Sequence, residues 1–200
     1  MENKVLIVDE HPVMSLALTS WLKQHGFNVV AQACNGIEAM QFISEHKPHV
    51  VLMEIDIPCL NGFVVIERIR LLDMPVKTIV FSAQNSRFVI INCVLAGAYG
   101  FVSKTEDGNV LLSAIRTVQS GLKYYPDWVQ QEGRLNVTGD PMGRLSSRER
   151  QVLQLLTQGL SNNQVAARMQ LSCKTTSTFK VRALKKLNAN TLMDLLNRTK

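Results

Sequence analysis

Five polar side chains stand where short apolar runs end. Asp9 and Glu10 follow Val5–Val8, Glu54 follows Val50–Met53, Ser82 follows Thr78–Phe81, and Lys104 lies just past Phe101–Val102. Carboxylates of this kind hold Mg²⁺, while a hydroxyl and a lysine meet phosphoryl oxygens, so the set has the composition of a phosphoryl-transfer site. One polar residue at a strand end would show only that loops face water. A set spread over four strand ends is hard to assign to chance. A second set lies near the C-terminus, where Lys174, Ser177, Thr178, Lys180, Val181, Arg182 and Lys185 share the polar side of one helical stretch. Lysines and arginine there suit phosphates, and the N-terminal residues of the stretch suit base edges in a major groove.

The elements that must position the first set alternate regularly. Val5–Val8, Val29–Ala33, Val50–Met53, Thr78–Phe81 and Phe101–Val102 read as strands, nearly continuous in apolar and β-branched residues. That character belongs to a parallel sheet covered on both faces. Between and after them run helical patterns at Pro12–His25, Gly36–His46, Gly62–Leu72, Arg87–Ala96 and Asp107–Gln119. Asn35 and Asn61 stand as helix N-caps, Gly26 and Gly121 as helix ends. The expected fold is α/β, a doubly wound five-stranded parallel sheet with its ligand site at the carboxyl ends of the strands.

From Leu122 to Gly143 the pattern breaks down, punctuated by Pro126, Gly133, Gly139, Pro141 and Gly143. This reads as a linker, with a short helix near Asp127–Glu132. Only helices follow. Ser146-Ser147-Arg148-Glu149 is a capping box opening a helix that runs to Gly159. Others are expected at about Asn162–Met169, Lys174–Leu187 and Leu192–Asn197, giving a small all-α domain. The domain plan is therefore 1–121, a linker at 122–143, and 144–200.

Val-Asp-Glu-His-Pro at 8–12, Leu-Met-Glu-Ile-Asp-Ile-Pro at 52–58, Asn61-Gly62, Phe81-Ser82-Ala83 and Gly-Ala-Tyr-Gly-Phe-Val-Ser-Lys at 97–104 resemble, in order, a response-regulator receiver domain of flavodoxin-like fold. The resemblance implies an acidic pair at Asp9 and Glu10, a switch hydroxyl at Ser82, a rotating aromatic at Phe101 and a phosphate-sensing lysine at Lys104. One departure stands out. In the family the residue four before the proline of this loop is the phosphoacceptor aspartate, and counting back from Pro58 reaches Glu54. Glutamate sets the carboxylate one methylene further out, and a misplacement of about 1 Å can cost ~10²-fold in such chemistry. Glu10 likewise replaces a usual second aspartate, so Asp9 and Glu10 are a doubtful Mg²⁺ site, and no cofactor is required. Glu54 could imitate part of a phosphoryl group, though its single charge falls short of roughly −1.5 to −2. Asp56 as the phosphoacceptor, or acids that only shape the loop, are the alternatives.

Leu145-Ser146-x-Arg148-Glu149, Gly159-x-Ser161-Asn162, Val165-Ala166, Leu171-Ser172-x-Lys174-Thr175 and Leu184-Lys185-Lys186-Leu187 resemble the LuxR-type helix-turn-helix of NarL/FixJ regulators. Lys-Thr-Thr-Ser-Thr-Phe-Lys at 174–180 looks closest to the virulence-regulator branch typified by BvgA and EvgA. Thr176 replaces a valine usual behind the reading helix. Phe179 stands where a histidine is common, and either packs inward or touches a thymine methyl. Leu192, Leu195 and Leu196 belong to a helix that in the family pairs two copies on an inverted repeat; packing on the first helix could use the same residues.

Charge supports this division. Residues 1–121 carry 9 basic and 11 acidic groups, residues 122–200 carry 13 and 5, and residues 144–200 carry 11 basic groups against Glu149 and Asp194. Such asymmetry points to nucleic acid as the partner of the second half. No run of about 18 apolar residues suggests a membrane span, and the N-terminus does not read as a secretory signal. A cytoplasmic protein is expected. Cys34, Cys59, Cys93 and Cys173 show no Cys-x-x-Cys spacing, which suits reduced thiols; Cys59, beside the acidic loop, leaves a redox role open. The expected function is a homodimeric, sequence-specific regulator on promoter DNA, active without aspartyl phosphorylation and not an enzyme. The alternatives are a phosphorylation-responsive regulator served by a histidine kinase through Glu54 or Asp56, and a protein-interaction adaptor.

Overall fold

The computed structural model describes residues 3–131 and 145–187, with 189, 191 and 192. Most of the expected linker and of the helix expected at Leu192–Asn197 therefore lie outside the described residues. Packing divides the chain into two compact units, residues 1–85 with 96–130, and residues 86–95 with 131–200.

The first unit is built on β1 (Lys4–Val8), β2 (Asn28–Ala33), β3 (Val50–Met53), β4 (Lys77–Ser82) and β5 (Gly100–Ser103). All pairs are parallel and the order is β2-β1-β3-β4-β5. Its helices are α1 (Pro12–Gln24), α2 (Gly36–His46), α3 (Gly62–Leu71), α5 (Gly108–Gln119) and α6 (Asp127–Gln131), with α4 (Arg87–Ala96) between β4 and β5 in the chain. Every residue of β3 and β5 is buried, and all of β1 but Lys4, as a sheet covered on both faces requires. Val5, Ile7, Leu52 and Ile79 on one face meet Leu18 and Leu22 of α1 and Leu111, Ile115 and Val118 of α5. Full burial of each such side chain stabilises by roughly 1.5–3 kcal/mol relative to exposure.

The order reverses between β1 and β3, which places the crevice at their carboxyl ends. Val8 pairs with Met53, and the Glu54 amide donates to the Val8 carbonyl at 2.8 Å, so Asp9 and Glu54 leave the sheet side by side. Caps set the helices that follow. Asn35 accepts from the amides of Ile37 and Glu38, and Asn61 from Phe63. A Cβ at Gly62 would stand 2.7 Å from the Glu54 carbonyl oxygen and 2.8 Å from Ile55 Cα. Only glycine lets α3 begin so close to the acidic loop.

Leu122–Tyr125, read from the sequence as the start of a linker, is tied to the sheet. The Tyr124 amide donates to Tyr99 at 2.9 Å, the Phe101 amide donates to Tyr124 at 2.8 Å, and the buried Tyr125 hydroxyl donates to the Ala98 carbonyl. The second unit contains α7 (Ser147–Thr157), α8 (Asn162–Arg168) and α9 (Cys173–Lys186). Val152, Leu155, Leu156 and Val165 form its core, joined by the partly buried Leu160, Met169, Phe179 and Leu192.

Candidate functional site

In the first unit the strand ends bring three charges into contact. Asp9 and Glu54 are 3% and 6% exposed, too buried to stand without a counter-charge. Lys104 supplies it, with Nζ 2.5 Å from Asp9 Oδ2 and 2.8 Å from Glu54 Oε2. Burial works against the Lys104 charge, but hydrogen bonds to both carboxylates, and their charges, hold the ammonium above its ordinary pKa. The other oxygens are engaged too. Asp9 Oδ1 accepts from the His11 amide at 2.9 Å and lies 2.9 Å from its Nδ1. Glu54 Oε1 folds back over its own loop and accepts from the amides of Ile55, at 2.7 Å, and Asp56, at 3.4 Å.

The rest of the expected set surrounds this triad. Ser82 is fully buried and its Oγ accepts from the Gln84 amide at 3.1 Å. Phe101 is buried on β5, and the Phe81 ring centroid lies 5.9 Å from Lys104 Nζ. Glu10 and Asp56 are half-buried. Among the described residues no group of three or more His, Cys, Asp or Glu is placed to hold a metal ion. Each oxygen of Asp9 and Glu54 thus has a partner in Lys104, His11 or a loop amide.

In the second unit three serine caps build the helices. Ser146 and Glu149 form a capping box on α7, Ser161 and Gln164 another on α8, and Ser172 accepts from the Thr175 amide at 3.0 Å to open α9. Helix α9 is two-sided. Thr176, Ala183 and Leu184 are buried, whereas Lys174, Thr178, Val181, Arg182 and Lys185 are exposed. Ser177 and Lys180 are half-buried, and Asn162 Nδ2 donates to Ser177 Oγ at 3.3 Å. Phe179 packs inward on the α7–α8 core. The far end of α9 is held by Lys186, whose Nζ lies 2.7 Å from Glu149 Oε2. Burial alone would raise the Glu149 carboxyl; hydrogen bonds from Lys186 and from the Ser146 amide and hydroxyl hold it below the usual range.

The family model described as the response regulator receiver domain matches residues 5–116. The chain is a response regulator. A second model, bacterial regulatory proteins of the luxR family, matches residues 143–198. The positive transcription regulator of virulence factors BvgA of Bordetella pertussis is 39% identical over 204 residues, covering 100% of this chain and 98% of BvgA. The DNA-binding transcriptional activator EvgA of Escherichia coli K12 is 35% identical over 191 residues, covering 95% and 94%. Among solved structures, RcsB of Salmonella typhimurium matches with TM-score 0.72 at 26% identity, over 100% of this chain and 98% of that one. A structure of Salmonella RcsB bound to promoter rprA with the phosphomimetic BeF3− matches with TM-score 0.69 at 25% identity, over 98% of each. The regulator is a DNA-binding transcription regulator of the two-component type.

Three contacts escaped reasoning from sequence. His11 lay in plain view in the Asp-Glu-His-Pro motif, two residues from the acid it touches. Asn162 contacts Ser177 across the corner, and Lys186 contacts Glu149 over 37 positions, both invisible to local spacing. Thr176 is fully buried behind α9, as expected from the valine it replaces, and its hydroxyl has no hydrogen-bond partner among the described residues. All four cysteines are free, and only Cys93 is buried.

Proposed function

We propose that this response regulator acts in the cytoplasm as a sequence-specific, promoter-binding homodimer whose receiver needs no aspartyl phosphorylation. The observation that carries the reading is Glu54 Oε2 at 2.8 Å from Lys104 Nζ. Glutamate carries its carboxylate one methylene beyond an aspartate's, and in this reading that reach stands in for part of a phosphoryl group in engaging the lysine. Ser82 makes its bond to Gln84, so the imitation concerns the lysine alone. The exposed basic side of α9 supports docking in a major groove, and the 11 basic groups of residues 144–200 favour DNA over an adaptor role. RcsB on promoter DNA supplies the analogy for binding. Two copies on an inverted repeat follow from the family resemblance of the C-terminal leucines.

The test is DNA binding by the full chain, with and without acetyl phosphate and Mg²⁺, beside Glu54→Asp. Wild type is expected to bind with a steep salt dependence and an affinity indifferent to the phosphodonor. Glu54→Asp is expected to become phosphodonor-responsive. Strengthening of wild-type binding by acetyl phosphate overturns the reading and makes Asp56 the first residue to replace.

A further inference from the structure

Divalent cations bind carboxylate pockets through oxygens that are free to face them, and Mg²⁺ asks for near-octahedral ligands at about 2.0–2.1 Å. In this pocket every oxygen of Asp9 and Glu54 already has a partner. One Asp9 oxygen is held by His11 and the other by Lys104; one Glu54 oxygen is held by the Ile55 and Asp56 amides and the other by Lys104. The ammonium already bridges the two acids, with only 11% of the lysine side chain exposed. A divalent ion between the same carboxylates would have to expel it or share the site with a like charge at short range. The added methylene of glutamate matters here, because it lets the carboxylate turn back onto its own loop amides while still reaching the lysine.

We infer that Lys104 is the resident cation of this pocket and that it excludes divalent metal from the receiver. Asp9, Glu54 and Lys104 form a closed, metal-free charge cluster. The inference deepens the functional reading of the same pocket, but it concerns cation binding and stands whether or not DNA binding answers to a phosphodonor.

The test uses the full chain as wild type, Glu54→Asp and Lys104→Met. Mn²⁺ is titrated with free ion followed by electron paramagnetic resonance, and Tm is measured with Mg²⁺ and with a chelator. Wild type is expected to show no saturable Mn²⁺ binding and the same Tm in both conditions. Glu54→Asp, whose shorter side chain withdraws from Lys104, is expected to gain saturable binding and a Tm that rises with Mg²⁺. Lys104→Met is expected to lower Tm and to recover part of the loss with Mg²⁺; if it does not fold, Glu54→Asp carries the test. Saturable wild-type binding with a rise in Tm overturns the inference. So does absence of binding in both variants, because the lysine and the glutamate would then not be what keeps metal out. Phosphodonor dependence of DNA binding on the same samples separates the two ideas. Metal binding with phosphodonor-blind DNA binding removes only this one, and the converse pattern removes only the functional reading.

Discussion

Lys104 serves two buried acids at once, and its removal takes the shared ammonium from both. Lys104→Met should destabilise the first unit by about 3–5 kcal/mol, the usual cost of breaking a buried pair from one side. Tryptophan fluorescence in urea reports it, since both tryptophans, Trp21 and Trp128, lie in that unit. The pH sign follows from the raised lysine pKa. Its stabilisation is complete below the unfolded value of about 10.4 and is lost as pH rises through the higher folded value. Thr176 presents the opposite case, a hydroxyl buried without a partner among the described residues. Thr176→Val keeps the shape and removes the desolvated oxygen, so it should raise the stability of the second unit by about 1 kcal/mol. Thermal melting by circular dichroism checks this; a fall in Tm would mean the hydroxyl does have a partner.

Helix α9 depends on its ends. Ser172 opens it, and the Lys186–Glu149 pair fastens its last turn to the first turn of α7. Ser172→Ala should cost roughly 1 kcal/mol, visible as faster amide exchange at Thr175. Because the Glu149 pKa is lowered, its contribution is present above the unfolded value of about 4.3 and fades as pH falls through the folded one. In Glu149→Gln the second unit should lose that part of its acid dependence and be less stable near neutrality. On the exposed side the charges act singly. Lys174→Ala, Arg182→Ala or Lys185→Ala should each weaken DNA binding across sequences and reduce the logarithmic salt slope by about 1 if the side chain meets a phosphate. An unchanged slope would assign that side chain to bases or to solvent.

The architecture of the whole molecule was largely legible in the chain, because burial on both faces writes apolar runs and because caps and glycines punctuate them. Strands came out within a residue or so, and Asn35, Asn61, Ser146 and Ser161 cap where their chemistry places them. The strand ends likewise revealed which acids face the crevice. What stayed hidden was side-chain conformation, as in the fold-back of Glu54 onto its neighbouring amides, and contact across the sequence, as in the inward turn of Phe179 and the lysine that crosses to Glu149. The punctuation after Gly121 also misled, since it marks a change of direction and not the end of packed structure. The segment at Tyr124 lies along β5, the outermost strand on its side, and Tyr125 anchors it. Cutting the chain at 121 would therefore uncover the Phe101 amide and the Tyr99 carbonyl along a fully buried strand, the kind of edge on which sheets from separate molecules join. A fragment ending at 121 is expected to self-associate in light scattering, and one ending at 131 to remain monomeric. Whoever divides this regulator to study its halves separately will find that the short strap of tyrosines decides whether the first half stays in solution.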